Sequence, residues 1–288
     1  MTTDSELSYS GWRPLRMHRP PHHGDDGRPK GGKPELPVIP AIRFFDNMSY
    51  IGDQFVGCFA IETSVGVILL DSLFNGDRYE QILEQGLSDL GYSGNDIKAV
   101  LVTHGHTDHY GCAGYLQERY GAKVYMSARD EDFAKDRNEF SPFGWMEFDA
   151  DGNIEGGDVF TLGDTAIHVA STPGHTPGCL SFVVPVYDEG RKHMAALWGG
   201  TGLPRGLEAK IQYRDSARAF SHLCDELGVD VEIATHPFVD NSVERFEVVR
   251  NIFNGVSNPY VIGREACRRY ENMFLDWCID AIKKEEEK

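Results

Sequence analysis

From residue 43 onward, short apolar runs alternate with turn residues, and their spacing predicts strands over 43–45, 48–51, 55–63 and 67–70, with Ser64-Val-Gly66 as a turn. The spacing then switches. Over 76–90, Tyr79, Ile82, Leu83, Leu87 and Leu90 recur with helical period, and Gly91 stops the helix. A strand over 98–103 precedes a helix over 110–120, in which Gly111 and Gly114 allow close backbone approach. Further strands are predicted over 123–126, 159–162, 166–170, 180–186 and 195–198, then helices over 216–227, 243–253 and 263–284. Two runs of strands, each followed by helices and without internal repeat, fit a layered α/β sandwich.

The chain has 288 residues, 41% of them hydrophobic, enough for a full core. Seven of the 14 prolines fall between Pro14 and Pro40, so 1–40 reads as an extended arm and 41–288 as a single domain. His18, His22 and His23 in that arm lack a carboxylate or cysteine partner and read as a solvated tail. No run reaches the roughly 18 apolar residues of a membrane span, and Met1 to Leu7 lacks the basic start and apolar centre of a signal peptide, so a cytoplasmic location is expected. Six scattered cysteines without a CxxC pair suggest reduced, buried thiols. A net charge of −17 argues against nucleic acid as a partner.

The stretch 129–158 is acidic yet carries Phe133, Phe140, Phe143, Trp145, Met146 and Phe148, which suits either a wall over a cleft or an insertion packed on the domain. Asp149-Ala-Asp-Gly-Asn153 hints at a calcium loop, but Ile154 and Phe160 occupy the positions where that loop needs Gly and Glu. On the last helix Ala266, Tyr270, Met273, Phe274 and Trp277 share one face, for packing on its own domain or on a second copy. The arm offers another route to a homo-oligomer.

The densest chemistry lies in Thr103-His-Gly-His-Thr-Asp-His109, directly after the apolar run Ala99-Val-Leu-Val102. Imidazole and carboxylate are the donors that suit zinc, and a turn leaving a strand aims alternate side chains into one pocket. Asp108 as a simple helix cap is the alternative, but a cap has no need of three histidines. His175, in Ser171-Thr-Pro-Gly-His-Thr-Pro-Gly178, and His236, in Ala234-Thr-His-Pro237, also stand at rigid turns after apolar runs. His168, His193 and His222 lack such settings.

These motifs resemble the metallo-β-lactamase superfamily: the HxHxDH signature matches His104, His106, Asp108 and His109, and later single histidines match His175 and His236. The resemblance spans about 42–284 and implies an αββα four-layer sandwich of two mixed sheets flanked by helices. It assigns Asp71 a supporting role beneath the metal loop. Where many branches carry a bridging Asp and one lactamase subclass a Cys, this chain has Gly199-Gly-Thr-Gly-Leu-Pro204, which is similar to the third subclass of metallo-β-lactamases. That resemblance implies two zinc ions, one on His104, His106 and His175, the other on Asp108, His109 and His236. Three protein ligands per ion leave a position open for water, as at a catalytic zinc.

One departure concerns the substrate. The subclass usually has Ser-x-Ser ahead of the matching proline, whereas this chain has Gly200, Thr201 and Gly202. Together with Trp145 and Phe148, these three residues are the candidates for flanking the substrate. The expected function is a dinuclear zinc hydrolase that opens a small cyclic amide or ester, foremost a β-lactam, by a metal-activated water with Asp108 as the catalytic carboxylate. The alternatives are a lactone or thioester as substrate on the same site, or a relative that binds metal without catalysis.

Overall fold

The computed structural model describes residues 36–136, 146–251 and 257–287. Up to residue 35 the expected arm lies outside them, as do Phe140, Phe143 and Trp145. The first strand already begins at Val38, inside the segment expected to be extended arm, because Ile39 and Ile42 enter the core.

The elements run, in order, β1 (Val38–Phe45), β2 (Met48–Asp53), β3 (Gly57–Thr63), β4 (Gly66–Leu70), α1 (Asp77–Asp89), β5 (Ile97–Leu101), α2 (Thr107–Tyr110), α3 (Ala113–Tyr120), β6 (Lys123–Met126) and α4 (Ala128–Lys135). There follow β7 (Gly152–Asn153), β8 (Val159–Leu162), β9 (Thr165–Ser171), β10 (Leu180–Asp188), β11 (Arg191–Leu197), α5 (Leu207–Leu227), β12 (Val231–Ile233), α6 (Pro237–Asp240), α7 (Ser242–Arg250) and α8 (Arg264–Glu286). Among the described residues β1 to β7 form one sheet in sequence order, antiparallel through β4 and parallel from β4 to β7. The second sheet has the order β12-β11-β10-β9-β8, with only β11 and β12 parallel.

Strand alternation explains the layers. Phe59, Ile61, Ile68 and Leu70 of the first sheet meet Phe182, Val184, Ala195 and Leu197 of the second in a shared central core. Their neighbours Cys58, Ala60, Val67 and Leu69 face outward, where Leu83, Leu87 and Leu116 of α1 and α3 cover them. On the far side Val183, Ala196 and Trp198 lie under Phe220 of α5 and Phe274 of α8. Strands buried on both faces read as continuous apolar runs, and each large side chain so buried contributes about 1.5–3 kcal/mol. The result is the expected four-layer αββα sandwich.

Several bounds differ from the sequence reading. The helix expected over 110–120 is two, α2 and α3: the Gly111 and Cys112 amides donate to the Leu73 and Ser72 carbonyls at 2.8 and 3.1 Å, and the backbone leaves the helical region at Cys112. Helix α5 begins nine residues before position 216, with Tyr213 already buried. Strand β12 is the apolar strand expected ahead of His236; helix α4 was not expected and starts at Ser127, whose hydroxyl accepts the Asp130 amide at 3.2 Å. Of the C-terminal helix face, Tyr270 and Phe274 pack on the chain's own core while Trp277 is largely exposed. All six cysteines are buried and unpaired.

Candidate metal centre

Loops leaving strand ends carry every donor of interest. Strand β4 ends in Asp71, a residue held at φ 61°, a left-handed conformation that Asp tolerates better than most. Strand β5 leads into the loop that carries His104, His106, Asp108 and His109, β9 into the loop of His175, and β12 into His236. The structure gathers these into two groups: His104 with His106 and His175, and Asp108 with His109 and His236. Within each, the candidate donor atoms all lie within 4.8 Å of one another. Asp108 makes no side-chain cap on α2.

Hydrogen bonds select which nitrogen faces the group. His175 Nδ1 donates to the Gly202 carbonyl at 2.7 Å, His236 Nδ1 to the Phe55 carbonyl at 2.8 Å, and His109 Nδ1 to Asp71 Oδ2 at 2.7 Å. Thr103 Oγ1 donates to Asp71 Oδ2 at 2.9 Å and so accepts from His104 Nδ1 at 3.0 Å. Four imidazoles therefore turn Nε2 inward, the nitrogen that a neutral ring leaves free to ligate a metal. His106 presents Nδ1 instead, 3.1 Å from Nε2 of both His104 and His175. In the second group Asp108 Oδ2 stands 3.6 Å from His109 Nε2 and 3.7 Å from His236 Nε2. Tetrahedral zinc with bonds of 2.0–2.1 Å needs donors about 3.3 Å apart, so these spacings fit one ion per group.

Electrostatics agree. Burial drives the pKa of His104 well down, that of His106 to about 4 and that of His175 to about 3, so all three are neutral at pH 7. His236 is also lowered, by burial and by His109. Burial opposes charge on His109 too, but Asp108 and Asp71 outweigh it and raise its pKa. For Asp108, burial pushes the pKa up, yet His109, His236 and His106 more than offset this and keep the carboxylate ionised.

Two buried carboxylates brace the loops. Asp71, fully buried, takes the Thr103 amide at 2.7 Å as well as the Thr103 hydroxyl and His109. Asp130 of α4, which the sequence reading passed over, accepts from the Gly105 amide at 2.8 Å, the Gly178 amide at 2.6 Å and the Thr176 hydroxyl at 2.5 Å. It thus ties the His104–His106 turn to the turn that carries His175. The signal was there: Ser127 three residues ahead of an acid marks a helix start.

The residues expected beside the substrate fall differently. Gly200 is buried behind His175, where a Cβ would stand 2.4 Å from the His175 Cβ, and Gly202 holds that ring by its carbonyl. This turn supports a histidine in place of presenting side chains. Thr201 between them is half-buried. Phe148 packs on Tyr110, ring centroids 6.4 Å apart, in the outer core of the first sheet. Trp145 lies outside the described residues. His193 is held by Asp230 at 2.6 Å, away from both groups.

The family model described as the metallo-beta-lactamase superfamily matches residues 51–188. An uncharacterized protein of Aquifex aeolicus is 32% identical over 173 residues, 56% of this chain and 68% of that protein. The hydroxyacylglutathione hydrolase GloC of Haemophilus influenzae is 28% identical over 155 residues, 51% of this chain and 65% of its own length. A beta-lactamase hydrolase-like protein of Agrobacterium fabrum is 33% identical over 96 residues, 32% of this chain but only 22% of that protein. Among solved structures, BJP-1, a subclass B3 metallo-beta-lactamase of Bradyrhizobium japonicum, matches with TM-score 0.75 and 24% identity, covering 88% of this chain and 96% of that one. Native FEZ-1 metallo-beta-lactamase of Legionella gormanii matches with TM-score 0.79 and 21% identity, covering 89% and 100%. At these identities the two structures speak for the fold.

Proposed function

From the premise that the chain belongs to the metallo-β-lactamase superfamily, a family of zinc-dependent hydrolases, we propose that it is a dinuclear zinc hydrolase acting on a small carbonyl substrate. The supporting observation is the pair of three-donor groups, each with donors spaced for one tetrahedral ion and with imidazole nitrogens turned inward. His104, His106 and His175 would hold one zinc, and Asp108, His109 and His236 the other. Zinc, when bound, supplies Lewis acidity and lowers the pKa of water from 15.7 to about 7, a gain of roughly eight orders of magnitude in hydroxide fraction. The protein's own part is to position and to move protons. Asp108, ionised and partly open to solvent, orients the attacking water and receives its proton. Asp71 and Asp130 keep the ligand loops fixed while charge develops.

A β-lactam is the first substrate to test, on the fold likeness and the absence of a bridging Asp or Cys at 199–202. A thioester or lactone is the second, favoured by one observation: Gly200 is packed on His175 and leaves no hydroxyl where a lactam carboxylate would be held. Turnover of nitrocefin, a carbapenem, thioesters and lactones, each with and without chelator, separates the readings. Zinc-dependent turnover of lactams alone supports the first, of thioesters or lactones alone the second. A zinc-loaded protein inert to the whole panel contradicts hydrolysis and leaves metal binding without catalysis.

A further inference from the structure

His236 is held by a main-chain group: its Nδ1 donates to the Phe55 carbonyl at 2.8 Å. That carbonyl belongs to the turn between β2 and β3, and the turn is shaped by Asp53, which is 1% exposed. Asp53 Oδ1 accepts the Phe55 amide at 2.8 Å and the Val56 amide at 3.1 Å, while the Asp53 amide donates to the Val56 carbonyl at 3.0 Å. The Phe55 carbonyl and the Val56 amide are opposite ends of one planar peptide unit, so a carboxylate that holds the amide also aims the carbonyl. Just beyond the turn, the Gly57 amide donates to the Thr235 carbonyl at 2.8 Å, so the turn grips the His236 loop through its backbone as well as through the ring. Asp53 Oδ2 has separate partners on α1, Arg78 Nη1 at 3.0 Å and the Tyr79 hydroxyl at 3.2 Å. A buried amide left without its acceptor costs about 1–3 kcal/mol, enough to tilt the peptide unit toward another partner.

We propose that Asp53 is a positioning residue for the second ligand group: by holding the Val56 amide, Oδ1 aims the Phe55 carbonyl at His236 Nδ1 and so turns His236 Nε2 toward Asp108, 3.7 Å away. Oδ2 has a different task, tying the turn to α1 through Arg78 and Tyr79. The effect on metal binding rests on the zinc reading of the site, whereas the orientation of His236 is a property of the protein alone. An imidazole released from the Phe55 carbonyl is free to carry its proton on Nε2, the nitrogen that would otherwise face the metal.

Because the two oxygens have separate partners, two conservative variants divide their roles. Asp53→Asn keeps Oδ1 and loses the charge; Asp53→Glu keeps the charge and displaces both oxygens by one methylene. Nitrogen NMR of the imidazoles in the metal-free proteins reads where the His236 proton sits. It should stay on Nδ1 in the wild type and in Asp53→Asn, and be shared between both nitrogens in Asp53→Glu. Zinc affinity of the second group is read by competition with a chromophoric chelator in His106→Ala, which retains Asp108, His109 and His236. There Asp53→Glu should lower the affinity about 10- to 100-fold, and Asp53→Asn by less than about threefold. If only the Asp53 charge mattered, the order of the two variants would be reversed, and that order overturns the proposal, as does a His236 proton that Asp53→Glu leaves on Nδ1. Should Asp53→Glu fail to fold, Asp53→Ser, too short to reach both amides, takes its place with the same expectations. The first group, read in His236→Ala, should change by less than about threefold with either variant. An equal fall at both groups would mean a general loosening and would also overturn the proposal. If the wild type binds no zinc, the zinc reading fails and the NMR result alone decides.

Discussion

The carboxylate of Asp130 accepts the Gly178 amide at 2.6 Å, so a helix from the acidic insertion fixes the turn that carries His175. The same carboxylate holds Gly105 and Thr176 and is 1% exposed. Asp130→Ala therefore leaves two amides and a hydroxyl unpaired in a site closed to water. Zinc affinity of the His104, His106 and His175 group should fall about 10- to 100-fold. Competition with a chromophoric chelator measures it; unchanged affinity at both sites would remove Asp130 from the account.

Asp71 has the corresponding role at the other group, through Thr103 and His109. Asp71→Asn replaces an acceptor for three donors by an amide with a single acceptor oxygen. His109 then loses the partner that fixes its tautomer, and the zinc held with Asp108 and His236 should weaken by about 10- to 100-fold. Metal content after dialysis is expected to drop toward one zinc per chain. Two zincs retained at the wild-type affinity would show that Thr103 and the loop suffice.

At Gly200 the expected outcome is steric. A Cβ there would come within 2.4 Å of the His175 Cβ, so Gly200→Ser must displace the ligand or the turn, at about 1–3 kcal/mol of stability. At Gly202 the nearest atoms are the ring Cε1 at 3.1 Å and Nδ1 at 3.4 Å, and Gly202→Ser should be milder. Thermal unfolding and zinc titration of the two variants test the order. Equal effects would mean that the turn moves freely.

Glu232 and Glu271 lie together beneath Trp198, each with a buried oxygen that has no hydrogen-bond partner. Burial, and then each other's proximity for Glu232, raises both pKa values. Raised carboxyl pKa values mean that these two groups bind more protons in the folded than in the unfolded state, so their contribution to stability is greatest at acid pH and declines as pH rises above about 4.3, the ordinary Glu value, through the raised values. Glu232→Gln removes that titration. With metal-free protein from pH 5 to 8, the wild type should lose stability relative to Glu232→Gln as pH rises, the lowered histidines acting alike in both; a difference that does not change with pH would refute the shared burial.

Much of this was legible in residue order. Alternating and doubly apolar runs placed most strands, and His104 to His109, His175 and His236 stood out because each sits at a turn just after an apolar run. What escaped the sequence has a physical cause in each case. Asp130 acts through backbone amides of Gly105 and Gly178, which no side-chain pattern records. His236 is oriented by the Phe55 carbonyl, 181 residues away, a group every residue possesses. Gly200 and Gly202, read as a missing substrate contact, are the surface on which His175 rests.

The most direct measurement is zinc per chain set against hydrolysis of the lactam, thioester and lactone panel, taken through one cycle of chelation and zinc return. The account predicts about two zincs, activity that disappears with their removal and comes back on reloading, and in His106→Ala about one zinc and no activity. Full activity in the chelated protein, or in His106→Ala, would contradict it.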